Sequence, residues 1–288
     1  MFPLQRRRTC GMAGFLMLMW VVFSNPVSAQ WVDLGFGGGL TSYRGDIQVP
    51  MSGFKPGAYG AIHAKYNFSP HWGVKLQVGQ GQVSAADSVS GDPKQIQRNL
   101  SFTSSIIEAR LGVEFNFWPY VPGSLKRRSA PYLGLGLGRF FFDPMARHKG
   151  TLVALQPLGT EGQGLGEKPG LENLGLEAER YTLNTWIFPI SLGYRRNFKG
   201  NHGVGIEWTY CFTGTDFLDD ISGTYFDASY LRLYRNTVAA DMSDRSWEKG
   251  LSAREPGSQR GVNAYNDAYG SLMVYYHYHI PSRRCRIK

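Results

Sequence analysis

The sequence predicts an all-β fold, an eight-stranded antiparallel barrel that crosses a membrane. Three observations carry the prediction. The first is the alternation in residues 181–213. Trp186, Phe188, Ile190, Leu192 and Tyr194 stand opposite Thr185, Ile187, Pro189, Ser191, Gly193 and Arg195. After Lys199-Gly200-Asn201, Val204, Ile206, Trp208, Tyr210 and Phe212 stand opposite Gly203, Gly205, Glu207, Thr209 and Cys211. A period of two marks a strand, because successive side chains point to opposite faces. The second observation is composition. The chain holds 36 glycines, 16 tyrosines and 17 phenylalanines, and no long amphipathic helix pattern. Beyond its first residues it has no apolar run long enough for a membrane helix, so a membrane form must be a closed barrel that satisfies every backbone group. The third observation is the ordering of the connections, which follows from the strands.

The strands come in order. The first is Gln30–Leu40, with Val32, Leu34 and Phe36 on one face. The second is Gly57–Phe68, with Ile62, Ala64, Tyr66 and Phe68 on one face, ended by Ser69-Pro70-His71, where Pro70 suits a turn. The third is Trp72–Ser84, with Trp72, Val74, Leu76 and Val78 opposite Lys75 and Gln77. The fourth is Leu100–Phe117. There Ile107, Ala109, Leu111, Val113, Phe115 and Phe117 oppose Glu108, Arg110, Gly112, Glu114 and Asn116. The fifth is Pro131–Phe142, where Leu133, Leu135 and Leu137 oppose Gly134, Gly136 and Gly138. The sixth and seventh form the 181–213 hairpin, and the eighth is Tyr269–Ile280. Each run reaches the roughly 9–11 residues that a tilted strand needs to cross a bilayer.

The links Ser69–His71, Trp118–Ala130 and Lys199–Asn201 are short. Thr41–Pro56, Ala85–Asn99, Asp143–Arg180 and Thr213–Ala268 are longer. Short turns on one rim and long loops on the other are the pattern of outer-membrane barrels, with short periplasmic turns and long outer loops. A soluble β-sandwich has no reason to sort its loops by parity.

The start of the chain agrees with export. Arg6-Arg7-Arg8 precede an apolar run from Met12 to Phe23, and Val27 and Ala29 supply the small residues of a cleavage site. Residues 1–29 are therefore expected to be a signal peptide, and residues 30–288 a single barrel domain. The run is too short for a membrane anchor. Cys10 precedes it and cannot serve as a lipoprotein cysteine. The remaining Cys211 and Cys285 make no disulfide framework and no zinc spacing. The formal net charge is +9, of which the three signal-peptide arginines account for +3. No basic stripe points to nucleic acid.

On the inward face stand Lys65, Lys75, Glu108, Arg110, Glu114, Arg195 and Glu207. An eight-stranded interior is just wide enough for side chains to fill it. These charges are expected to pair as a lumen network, because leaving them unpaired would cost several kcal/mol each. An ion or proton path would need a continuous wet bore. His277 and His279 share a face of the last strand, with no third metal ligand set by spacing. Asp216, Asp219, Asp220 and Asp227 could offer oxygen ligands to calcium, but the spacing is not that of an EF-hand. A capped turn or short helix explains them too. No Ser–His or Asp–His–Ser set has motif spacing. No catalytic residue, cofactor, metal or small-molecule substrate is expected.

The stretch Val32–Asp46 (VDLGFGGGLTSYRGD) resembles the first strand and loop of PorG-type proteins, outer-membrane barrel components of the type IX secretion system of Bacteroidota. Thr160–Leu165, Ile187–Tyr194 and Thr215–Tyr225 resemble later blocks in the same order, and Asp-Asp-Ile-Ser-Gly-Thr-Tyr is the most specific piece. The resemblance implies a non-enzymatic part of a protein export machine, set among outer-membrane lipid. Its periplasmic partners would be ring proteins of the PorK and PorN kind. On that reading both termini face the periplasm. The turn Trp118–Ala130, with Pro119, Tyr120, Pro122, Lys126, Arg127 and Arg128, becomes a docking candidate. So does the tail, with Arg283 and Arg284. A lipid-modifying barrel enzyme, and a narrow channel or adhesin barrel, are the alternatives. An outer-rim nucleophile and base would favour the first.

Overall fold

The computed structural model describes residues 30–47, 50, 55–169, 171, 176–198 and 200–281. The expected signal peptide and the tail Ser282–Lys288 lie outside the described residues.

Nine strands form. They are β1 (Trp31–Arg44), β2 (Gly57–Asn67), β3 (Trp72–Ala86), β4 (Ser101–Asn116), β5 (Ser129–His148), β6 (Thr151–Ala154), β7 (Asn184–Asn197), β8 (His202–Thr213) and β9 (Ala268–Pro281). Eight of them close a ring through antiparallel neighbours, from β4 through β3, β2, β1, β9, β8 and β7 to β5, which pairs back to β4. The first and last strands, β1 and β9, pair from Trp31 opposite Pro281 to Arg44 opposite Ala268. The ring leaves no edge strand, which removes the unpaired ladder that an open sheet would expose. One interruption has a local cause. The β5–β7 ladder pairs Leu135 with Ile190 and Gly138 with Ile187 but not the residues between. Pro189 stands in that gap and has no N–H to donate.

The eight predicted strands are all present, and the connections keep the predicted parity. The lengths differ at one rim. Strands β1, β3 and β5 run beyond Leu40, Ser84 and Phe142. Strand β5 continues through Asp143-Pro144 to His148. There Lys149 (φ 48°) and Gly150 (φ 88°) turn the chain back so that β6 pairs with it. The predicted strand ends at Phe142, but Phe142, Pro144 and Ala146 continue the buried face set by Phe140.

The outward face is apolar. Leu34, Phe36, Ile62, Leu76, Ile107, Leu111, Leu135, Phe188, Ile206, Trp208 and Val274 are among its exposed side chains. Aromatic side chains gather toward the two rims: Tyr194, Tyr278, Trp72 and Phe117 near the short turns, Trp186, Phe212 and Phe141 near the long loops. A continuous exposed belt of this kind marks a membrane-facing surface.

The long connections fold into a cap over one end. It contains α1 (Pro93–Arg98), α2 (Ala228–Tyr234) and α3 (Thr237–Ser243). Asp92, Asp227 and Asn236 cap these helices by accepting from the N–H groups of Lys94, Ser229 and Ala239. Asp227, weighed as a calcium ligand, is thus a helix cap. The cap shares an apolar core with the top of the barrel, in which Ile106, Phe140, Ile187, Leu218 and Tyr269 are fully buried.

Candidate functional site

The pleat carries Lys65, Lys75, Glu108, Arg110, Glu114, Arg195 and Glu207 inward, where they form one connected lattice. Glu114 is its centre. Its carboxylate meets Lys65 Nζ at 2.7 Å, Lys75 Nζ at 2.8 Å and the Arg195 guanidinium. Lys75 also reaches Glu207 at 2.5 Å, and Arg110 reaches Glu207 at 3.2 Å and Glu108 at 3.7 Å. The lattice holds four cations and three carboxylates; a fourth inward carboxylate, Asp33, is held by Asn67 and His279. These charges are almost without solvent contact. The lattice stands only because each charge has a partner, since breaking a buried pair costs about 3–5 kcal/mol.

Tyrosines complete it. Tyr132 donates to Glu207 at 2.6 Å, and Tyr59 and Tyr269 both donate to Glu108. The Arg195 guanidinium lies 3.7 Å from the Tyr132 ring centre, a cation–π contact. Gly193 and Gly205 explain the room for these rings. A Cβ at Gly193 would land inside the Tyr132 ring, and one at Gly205 inside that of Tyr275. Sequence reading named the charges and missed the tyrosines. The parity that turned Glu207 and Arg195 inward also assigns Tyr59, Tyr132 and Tyr275 there.

The short-turn end is closed by a side chain from the turn between β4 and β5. Tyr120 is fully buried, and its hydroxyl meets Asn197, His277 Nε2 (3.1 Å) and His279 Nε2 (3.1 Å). His279 also pairs with Asp33. His277 and His279 are therefore held in a buried hydrogen-bond cluster. The same finding corrects the docking surface: Tyr120 is a plug and contributes nothing to a shoulder on that turn. Lys126, Arg127 and Arg128 are exposed, beside Leu125, which is 81% exposed. Arg283 and Arg284 lie outside the described residues.

Inside the lumen, a cavity of about 20 Å³ lies among Lys75, Arg110, Glu114, Gly134 and Ser191. That is room for roughly one water. Cys211 is buried on the same inward face as a free thiol.

A second polar cluster lies in the cap and unites segments far apart in sequence. Arg260 is buried. It meets Glu161 at 2.7 Å and the Asp220 carbonyl at 2.6 Å, and donates to the Ser243 carbonyl at 3.1 Å. Glu161 accepts from the N–H groups of Ser222 and Gly223, each at 3.0 Å. Asp220 accepts from Thr160 and Tyr181, each at 2.6 Å. Burial pushes the Asp220 carboxyl up to about 6, against the pull of Arg260. Asp216 rises to about 7, first through burial and then through Asp46 and Glu161. Of the acids weighed for calcium, Asp219 and Asp220 are thus engaged by protein donors. Among the described residues no group of acids, histidines or cysteines has the geometry of a metal site. The block Thr160–Leu165 and the block Thr215–Tyr225 meet here, at Thr160 with Asp220 and Glu161 with Ser222. Arg260 and Glu161 are 99 residues apart, and no local pattern pairs them.

The chain is similar in shape to several solved outer-membrane proteins. The attachment invasion locus protein Ail of Yersinia pestis, solved with the heparin analogue sucrose octasulfate, matches with a TM-score of 0.40 and 11% identity. The match covers 88% of this chain and 99% of that one. Neisserial surface protein A matches with a TM-score of 0.39 and 10% identity, over 86% of this chain and 96% of that one. OprG of Pseudomonas aeruginosa matches with a TM-score of 0.36 and 11% identity, over 89% and 98%. No curated protein matches the chain in sequence. A family model described as a domain of unknown function, DUF6089, matches residues 13–152.

Proposed function

We propose that this protein is a non-enzymatic outer-membrane component of a protein secretion machine of the PorG type, tying a periplasmic ring of PorK- and PorN-like proteins to the membrane. The observation that supports this reading most is the filled lumen. A barrel whose interior is packed with paired charges and tyrosines, plugged by Tyr120 below and capped above, is built as a rigid anchor rather than a conduit. The apolar belt supports placement in lipid, with the short turns on the periplasmic side. The motif blocks Val32–Asp46 and Thr215–Tyr225 supply the link to secretion.

On this reading the ring contacts the short-turn end. Lys126, Arg127 and Arg128 form an exposed basic group there, flanked by the exposed apolar Leu125 and Trp118. Strand β9 ends at the same rim, and Arg283 and Arg284 follow it in sequence. Reversing Lys126, Arg127 and Arg128 to glutamate should abolish co-purification of ring proteins while barrel insertion stays normal. Reversal of the tail is the separate arm. Capture and secretion unchanged after both reversals would remove the docking role.

A further inference from the structure

Tyr43, near the cap end of β1, places its hydroxyl between two carboxylates. It lies 2.6 Å from Asp219 Oδ2 and 2.8 Å from Asp267 Oδ1. Both acids are about 1% exposed. Their other oxygens are taken by backbone: Ile221 N–H donates to Asp219 Oδ1 at 2.9 Å, and Leu218 N–H to Asp267 Oδ2 at 3.0 Å. A phenol carries one hydrogen and can donate to one acceptor. The second contact at hydrogen-bond distance needs a hydrogen from a carboxyl group. One of the two acids is therefore protonated in the closed cap.

We infer that Asp219, Tyr43 and Asp267 form a proton-sharing latch that holds the long 214–267 connection onto the barrel end at low and neutral pH and lets it loosen in alkali. Its neighbours favour the protonated state. On the segment after β1, Asp46 adds negative charge, and Arg44 lines the adjoining rim cleft of about 730 Å³ with Asp216 and Asp267. Within the 214–267 connection, Asp216 and Asp220 add negative charge, and Arg260 is taken up by Glu161 and Asp220. From the β5–β7 connection come Glu161 and Tyr181. From the β3–β4 connection comes Arg98, already held by Asp87 at 2.7 Å. Among the described residues no cation meets the latch directly. Burial first, then Asp216 and Asp46, push the Asp267 carboxyl up to about 8 against the pull of the Tyr43 and Leu218 hydrogen bonds, and burial with Asp267 beside it raises Asp219 well above the usual carboxylate range. Both folded values lie above the unfolded ones. The stabilisation is therefore complete below the ordinary carboxylate range and is lost as pH rises through about 8.

The two amides that the acids accept from report the latch directly. In the full chain folded into lipid nanodiscs, the hydrogen-exchange protection factors of Leu218 and Ile221, corrected for intrinsic exchange, should fall about tenfold between about pH 6 and about pH 9. Asp267→Asn should hold them within about twofold over that range. Its amide N–H donates to Tyr43 Oη, its carbonyl accepts from Leu218, and Tyr43 donates to Asp219, so no titration remains. Asp219→Asn should act alike through the mirror arrangement, and it serves if the first variant does not fold. Tyr43→Phe should leave both amides poorly protected at either pH. Native protection that does not change with pH overturns the latch, and so does an equal fall in the native chain and both asparagine variants.

Discussion

Glu114→Gln should lower the thermal midpoint of the barrel in detergent more than the same change at Glu207. Among the described residues Glu114 is the sole carboxylate in ion-pair contact with Lys65 and the sole one paired with Arg195, and it shares Lys75. Glutamine keeps the shape and removes the charge, so two fully buried cations lose their counter-charge at once. The expected loss is at the upper end of the about 3–5 kcal/mol seen when one partner of a buried pair is removed. Glu207→Gln does less. Lys75 keeps Glu114, and Arg110 keeps Glu108 at 3.7 Å. Adding Lys65→Met to Glu114→Gln should recover part of the loss, because one uncompensated charge goes with it. Equal midpoints for the two single variants would show that Glu114 is not the centre of the lattice.

The second large effect lies on the opposite face. Leu135→Arg should reduce the fraction of protein that inserts into lipid vesicles, read by heat-modifiable gel mobility. Leu135 is 56% exposed, and Val113 and Ile190 are its outward-facing neighbours in register. An arginine on the lipid face near the midplane costs about 2–4 kcal/mol. Gly60→Ala is the outward control, since its Cβ would meet no atom nearer than 3.9 Å. Gly205→Ala would be a poor mild control although it faces inward and changes little volume, because the Tyr275 ring fills that space. Insertion of Leu135→Arg equal to that of Gly60→Ala would mean that this face does not meet lipid.

The barrel was legible because a strand writes its two environments in alternate residues. Leu133, Leu135 and Leu137 against Gly134, Gly136 and Gly138 state which face meets lipid and which must admit neighbours. Closure then follows from the absence of water to satisfy an edge in lipid. The inward charges were legible by the same parity, and so was their need for partners. Which partners they take was not. Glu114 meets Lys65, Lys75 and Arg195, which come from three strands, and strand stagger around the barrel sets those meetings. The cap was the least legible part. The fifth strand, expected to end at Phe142, continues through Asp143-Pro144, because the surrounding ladder supports it. Tyr43 finds Asp267 across 224 residues and Asp219 across 176. The sequence by itself determined the pleat, the order of strands and the sign of each buried charge, since these depend on neighbours one or two residues apart. Only the tertiary structure decided the plug at Tyr120, the hub at Arg260 and the shared proton at Tyr43, because a buried polar group takes whichever partner the closed ring brings within hydrogen-bond reach.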